Sequence, residues 1–323
     1  MTMTMKRSIS AWTLAAALSA AAAAPAFAAD TYGFSNVGLS FPFAAAIAKG
    51  FQDAAKQAGV TAVVLDAKND VQKQANDIDD LIAEKAKGIV IMPLDSTVAQ
   101  GWVDKVAAAG IPVASVGSQI GDPNKRAIKD VYPKLVAVVT QDEIAAGNRA
   151  GELALKLLPK DRVAKIAIIE GQAGFSEVKQ RSQGFLEALD KAHAKYQVVA
   201  SQPGDWTAEK GEAACQNILS AHPDVDLFFN QADDMVVGCA RAVKAAGSKA
   251  KLIGFGGSKL AIAAIKDGSV DGTVCYKPEE LGHLAFQAVY EAATGKNVRH
   301  HEFITYDTPG VTKANIDQCV GQW

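Results

Sequence analysis

The sequence predicts an α/β protein of two doubly wound, Rossmann-like lobes, and three observations carry that expectation. Apolar runs of strand length alternate with helical stretches from Thr31 onward. The alternation restarts after a helix over 142–158, so the chain holds two β-α series of similar length. Its 323 residues suit one large or two ordinary domains, and no low-complexity linker or short repeat interrupts them.

In chain order, the first series places strands at "TYGFS", "TAVVLD", "GIVIMPL", "IPVASV" and "LVAVVT". Each is a near-continuous apolar run, as a parallel sheet covered on both faces requires. Helices are expected over 44–58, 72–86 and 98–109, where apolar residues recur at three- and four-residue spacing. Gly59, Gly88 and Gly110 follow them, where a left-handed cap favours glycine. The second series has strands at "VAKIAIIEG", "YQVVASQPG", "DVDLFFNQ", "KLIGFGG" and "DGTVCYKP", with helices over 176–192, 208–221, 235–246 and 259–266. A helix over 279–294 and a strand "HEFITYD" complete the first lobe if the chain crosses back near Tyr276-Lys277 and again near Tyr306-Asp307. One lobe is then 29–141 with 277–306, and the other 142–276 with 307–323. The crossings would act as a hinge of a few residues.

The first 28 residues are expected to be a cleavable export signal. Lys6 and Arg7 precede an apolar, Ala-rich core over 12–24, and Ala26-Phe27-Ala28 supplies a small-x-small cleavage site. The apolar core is too short to span a bilayer, which takes about 20 residues. No Cys stands at the cleavage point, which argues against a lipid anchor. Export to the periplasm also permits disulfides. Of Cys215, Cys239, Cys275 and Cys319, the first two fall on helices flanking one strand, which favours that bridge. Four inert buried thiols are the competing expectation.

Composition and motifs exclude several classes. The formal net charge is −2 and the basic residues are scattered, so nucleic acid is not an expected partner. "GFGGSK" over 254–259 has Lys where a dinucleotide fingerprint needs its third Gly, and no phosphate cradle of the P-loop type exists. No nucleophile elbow appears. His193, His222, His283, His300 and His301 show no ligand spacing with Asp or Glu, so neither a metal nor another cofactor is expected. "NDIDDLIAEK" (76–85) is a solvated acidic face rather than a calcium loop. An exported two-lobed α/β protein without catalytic residues is most simply a solute receptor, its ligand held where strand ends of both lobes meet.

Several segments resemble the periplasmic sugar-binding proteins of ABC importers, the ribose-binding-like group: "GFSNVGLSFPF" (33–43), "EGQAGFSEVKQRSQGF" (170–185), "VVASQPGDW" (198–206), "NILSAHPDVD" (217–226) and "QADDMVVGCARAV" (231–243). The similarity runs in order along essentially the whole mature chain. It implies the type I periplasmic binding fold, a three-segment hinge, an inner-membrane permease as partner and a sugar-like solute in the cleft, and a monomer that opens and closes is expected. A sugar presents C–H faces to aromatic rings, and the family's aromatic walls fall on Phe43 and Trp206. Phe41 stands where relatives often carry a polar side chain. Arg181 matches the ligand-contacting Arg, the competing expectation being a surface Arg beside Glu177 and Lys179. Asn36, Gln141 and Gln172 are further candidates, while Asp142 is more simply a helix cap.

The departures from the family pattern are informative. At the end of "IPVASVGSQ", Gly117-Ser118 replaces an Asp-Arg pair. Ala232 stands for Asn, although Asp233 remains, and Gly256 stands for Asp. Tyr276 stands for Gln or Asn at the hinge, and Met92 for a polar residue. Each lost charged hydrogen bond is worth roughly 1.5–3 kcal/mol, so an ordinary aldopentose pose is not expected. Two ligand classes follow: a less hydroxylated or differently shaped solute (an alditol, cyclitol, deoxy or branched sugar), or a sugar acid or small organic acid held by an Arg181 that lacks an opposing Asp. A chemoreceptor feeder would use the same fold. A repressor effector domain would need a DNA-binding helix where the export signal stands.

Overall fold

The computed structural model describes residues 1–2, 30–296 and 301–323. The expected export signal, beyond its first two residues, and His300 lie outside the described residues. Five parallel strands open the chain: β1 (Thr31–Asn36), β2 (Thr61–Asp66), β3 (Gly88–Ile91), β4 (Val113–Val116) and β5 (Ala137–Val139). They alternate with α1 (Pro42–Gln57), α2 (Val71–Ala83) and α3 (Ala99–Ala108). After α4 (Glu143–Leu157) come β6 (Ala164–Glu170), α5 (Ser176–Lys191), β7 (Tyr196–Pro203), α6 (Ala208–Ala221), β8 (Leu227–Asn230), α7 (Asp233–Ala245), β9 (Lys251–Gly256), α8 (Lys259–Asp267) and β10 (Gly272–Cys275). The chain ends with α9 (Pro278–Thr294), β11 (Glu302–Ile304), β12 (Gly310–Thr312) and a 3-10 turn at Ile316–Gln318.

The strands form two six-stranded sheets, ordered β11-β5-β4-β3-β1-β2 and β12-β10-β9-β8-β6-β7. The first is parallel throughout, and the second is parallel except for β12, which pairs antiparallel with β10. β12 has only three residues after Pro309, too few to show a hydrophobic period. Each sheet reverses strand order once, between β1 and β3 and between β6 and β8. Those reversals open a crevice at the carboxyl ends of the strands, where open α/β sheets bind ligands.

Each sheet is covered on both faces. Phe34, Phe51 and Phe286 fill the layer under α1 and α9, while Ile78, Ile89 and Trp102 fill the opposite layer. In the second lobe, Phe228, Met235 and Leu252 pack against α6 and α7, and Phe185 stacks on Phe229 at 4.3 Å under α4 and α5. Helix starts follow local chemistry. Pro42 opens α1, where a missing N–H is no loss, so α1 begins two residues before its apolar period. Asp142, Thr207 and Ser258 cap α4, α6 and α8 through side-chain oxygens. Gly59 and Gly110 are left-handed (φ 72 and 73), but Gly88 is not. It begins β3, and Lys85 takes the left-handed position instead (φ 57). A Cβ at Gly88 would lie 2.9 Å from Val289 and 3.1 Å from Tyr32, so close packing of α9 on the sheet requires glycine there.

Three strands of chain join the lobes, and they bond to one another. Asp142 N–H donates to the Thr305 hydroxyl (3.1 Å), and Thr140 N–H to Ile304 O (3.0 Å). Lys277 N–H donates to the Tyr306 hydroxyl (2.8 Å). The second lobe carries two disulfides, Cys215–Cys239 and Cys275–Cys319. The first joins α6 to α7, and the second ties the end of β10 to the turn after β12.

Candidate functional site

A cavity of about 80 Å³ lies between the lobes at the two strand reversals. The first lobe contributes Val37, Phe41, Pro42, Phe43 and Ala44 from the β1–α1 loop, and Met92 from the end of β3. Gln74 of α2 fixes the latter: its amide donates to Met92 O (2.8 Å) and its carbonyl accepts from Leu94 N–H (2.9 Å). The second lobe contributes Phe175, Glu177 and Arg181 from α5 and its lead-in, Trp206 from the turn after β7, Ala232, Asp233 and Asp234 from the start of α7, and Phe255 and Gly256 from the end of β9. Tyr276 stands at a crossing and Trp323 at the end of the described chain.

The lobes touch directly around this cavity. Ser96 N–H donates to Gly174 O (3.1 Å), and Ser176 N–H donates to the Ser96 hydroxyl (3.2 Å). The Ser118 hydroxyl donates to Glu177 Oε2 (2.7 Å), and Gln119 bonds Gln180. Phe43 meets Trp323 edge-on at 5.4 Å. The two jaws are shut.

Arg181 is not the free cation that its sequence context suggests. Its Nε donates to Glu143 Oε2 (2.8 Å), Nη2 to Glu143 Oε1 (3.0 Å) and Nη1 to Gln231 O (2.7 Å). Both partners are buried, at 8% and 1% side-chain exposure, and the Tyr276 hydroxyl donates to the same carboxylate (2.7 Å). Burial opposes the guanidinium charge, but Glu143, Tyr276 and Glu177 together outweigh it and push the Arg181 pKa further up. Phe255, Trp206 and Tyr276 present rings to it at 4.7, 5.5 and 5.5 Å. With five guanidinium donors and three bonds made, two N–H groups remain. The surface alternative for Arg181 fails because α5 turns Arg181 and Glu177 inward, leaving Lys179 outside.

The other titratable groups in the wall are acidic. Burial raises the Glu177 carboxyl to about 7, with Arg181 pulling it down and Glu143 pushing it up. Burial raises Asp233 to about 6, against hydrogen bonds from Ser258 N–H (2.6 Å) and the Thr273 hydroxyl (2.7 Å). Asp234 is raised by burial as well. A bound carboxylate would meet three acidic groups and one guanidinium already paired. This wall does not favour the organic-acid expectation.

Trp206 sits at φ 64, an unusual backbone for a bulky residue, inside a turn closed by Thr207 N–H to Gly204 O (3.0 Å). Its ring crosses Phe175 at 5.7 Å and occupies the space a side chain at Gly171 would need. Of the residues singled out from sequence, Phe41, Phe43, Met92, Arg181, Trp206, Ala232, Asp233, Gly256 and Tyr276 surround the cavity.

Five others do not. Asn36 spends its amide on Ala44 O (2.9 Å) and its carbonyl on Gly38 N–H (2.9 Å), holding the β1–α1 loop. Gly117 turns the chain at φ 79 and accepts from the Thr140 hydroxyl (2.9 Å). Ser118 reaches the other lobe through Glu177. Gln141 is buried in the crossing, its carbonyl 3.3 Å from the Thr140 hydroxyl. Gln172 is half-buried outside the wall. Sequence reasoning missed Phe175, Glu177, Phe255, Trp323 and the partner Glu143: the first three lie in segments singled out for other reasons, and Glu143 and Trp323 reach the site from elements that no quoted segment covers. It also missed Gln231, which ties β6, α5 and β8 through Gly171 N–H (3.0 Å), Val178 O (2.8 Å) and the Ser182 hydroxyl (2.8 Å).

Fold and cavity together define a two-lobed solute-binding clamshell. Residues 32–297 match the family described as periplasmic binding protein domain. The chain is 33% identical over 269 residues to the ribose import binding protein of Bacillus subtilis, covering 83% of each chain. The crystal structure of an ABC transporter solute binding protein from Mycobacterium smegmatis with bound glycerol superposes with a TM-score of 0.81 at 29% identity, covering 91% of this chain and 98% of that one. The Caulobacter myo-inositol binding protein bound to myo-inositol gives 0.79 at 27% identity, covering 90% and 95%. This chain belongs to the periplasmic binding protein family, a family of transport receptors rather than enzymes and of periplasmic location.

Proposed function

We propose that this chain captures a small neutral polyol or polyol-like sugar between its lobes and delivers it to the permease of an ABC importer. One observation carries the ligand class: the cavity wall is mostly aromatic and aliphatic, burial pushes its three carboxyl groups toward the neutral form, and its single guanidinium is already paired with Glu143. C–H faces of a polyol pack on Phe43, Trp206 and Phe41. Its hydroxyls have the two spare Arg181 donors and the carboxyl oxygens of Glu177 and Asp234 as partners. The three relatives named above concern ribose, glycerol and myo-inositol, all hydroxylated and uncharged. Arg181 and Tyr276 act as one preorganised unit with Glu143, and Phe41, Phe43 and Met92 close over the ligand from the other lobe.

The lobes correspond to 29–141 with 277–306 and 142–276 with 307–323, rotating about the three crossings. The protein works as a monomer, and the permease reads the rims that closure brings together. Residues 1–28 are removed on export. Because closure buries contacts made to both lobes, ligand binding stabilises the shut form selectively.

Thermal-shift and calorimetric titration against alditols, cyclitols, deoxy and branched sugars, aldoses and sugar acids tests this. Stabilisation by members of the first four groups is the expected result. A response to aldopentoses or aldohexoses alone would discard the ligand class, and a response to sugar acids alone would restore the carboxylate assignment. Scattering profiles that do not contract with any ligand would remove the receptor mechanism.

A further inference from the structure

The segment after β12 enters the cavity from a direction that neither sheet provides. It is anchored at three points: Cys319 is bonded to Cys275, Gln322 Oε1 accepts from Glu279 N–H (2.9 Å), and Trp323 O accepts from Lys259 N–H (2.9 Å). These anchors set the Trp323 indole against Phe43 of the opposite lobe. The ring fills space beside Gly256, where φ is 144 and an added Cβ would lie 2.9 Å from indole Cζ2. A side chain at 256 would therefore displace the indole from this position. The Trp323 Nε1 is buried and has no hydrogen-bond acceptor among the described residues. Buried polar groups are rarely left so, and here the residue borders a ligand-sized space.

We infer that Trp323 is a specificity-determining contact of the receptor. Its ring and that of Phe43 form an apolar corner that shortens the cavity, and its N–H donates to one ligand oxygen. The Cys275–Cys319 bridge is the positioning device, because it fixes the turn at Ile316–Gln318 from which the indole is hung. The ligand class is accordingly a short polyol with a C–H face at one end and a hydroxyl or ether oxygen beside it. This rests on the polyol-receptor function proposed above.

The test uses the oxidised protein and a calorimetric panel of glycerol, four- and five-carbon alditols, myo-inositol and ribose. Trp323→Phe keeps the ring and removes the N–H. It should weaken the best-bound polyol about tenfold, the worth of one hydrogen bond, while the unliganded melting temperature stays put. Trp323→Ala should weaken it about a hundredfold and narrow the discrimination between polyols that differ by one carbon. Cys275→Ser with Cys319→Ser should give an intermediate loss. Affinities and discrimination within twofold of wild type in both Trp323 variants overturn the inference while leaving the receptor function standing. A wild-type protein silent to the whole panel overturns the polyol class itself, and the inference with it.

Discussion

The two lobes share a strand order but not a chemistry. Among the described residues the first offers the ligand Val37, Phe41, Pro42, Phe43, Ala44 and Met92, none of them charged. The second holds every charge there, with Arg181 locked between Glu143 and three aromatic rings. It also holds both disulfides. Polar groups work as recognition elements when their geometry is fixed before the ligand arrives, since ordering them afterwards costs entropy. An apolar surface needs no such orientation and tolerates movement. The second lobe is therefore the platform, and the first is the lid that excludes water.

That contrast can be broken most forcefully through the cross-links. Closing loops with sequence separations of 24 and 44 stabilises by about 3 and about 4 kcal/mol in the chain-entropy account. Denaturant unfolding with reductant should accordingly split into two transitions, the second lobe melting first. A single unshifted transition would mean that the bridges do not set its rigidity. Next in size is Glu143→Ala, which leaves Arg181 buried and uncompensated, at about 3–5 kcal/mol of stability. The pair Glu143→Gln with Arg181→Met should recover most of that stability in chemical denaturation but not the ligand affinity.

Smaller effects sharpen the division of labour. Trp206→Ala should cost about 2–4 kcal/mol of binding, as central aromatic anchors do, and Phe43→Ala roughly half as much. Equal losses in calorimetry would erase the difference between platform and lid. The last is a pH effect. Glu177 titrates at about 7 in the closed protein against an ordinary 4.5, so its contribution is present below 4.5 and lost as pH rises through 7. Asp233 has the same sign and loses its contribution as pH rises through about 6. Since closing the lobes buries Glu177, and burial outweighs the opposing hydrogen bond from the Ser118 hydroxyl, ligand affinity should strengthen from pH 8 toward pH 5, by on the order of 1–2 kcal/mol. Glu177→Gln should flatten the upper part of that profile.

The reach of the sequence differs between backbone and site. Strand–helix alternation was legible because each apolar run must be buried on both faces of a parallel sheet. Phe43 and Trp206 were legible as pocket residues through resemblance, and both border the cavity. Asn36 and Ser118 had the right chemistry for a ligand, but local geometry gave them partners within the protein instead. Glu177 entered the sequence reading only as a neighbour in the competing surface reading of Arg181, and burial of the α5 start made it an acid of the wall.

The sequence alone determined the two-lobe architecture and the absence of catalytic motifs, because periodicity and residue identity are local properties, and resemblance added the expectation that polar anchors are replaced at positions 92, 117, 118, 232, 256 and 276. Only the tertiary structure decided what stands in their place. The charge on Arg181 is cancelled by a residue 38 positions away, and the gap at Gly256 is filled by one 67 positions away (323 − 256). Contacts between distant positions depend on how loops and sheets stack, and no spacing in the chain encodes them.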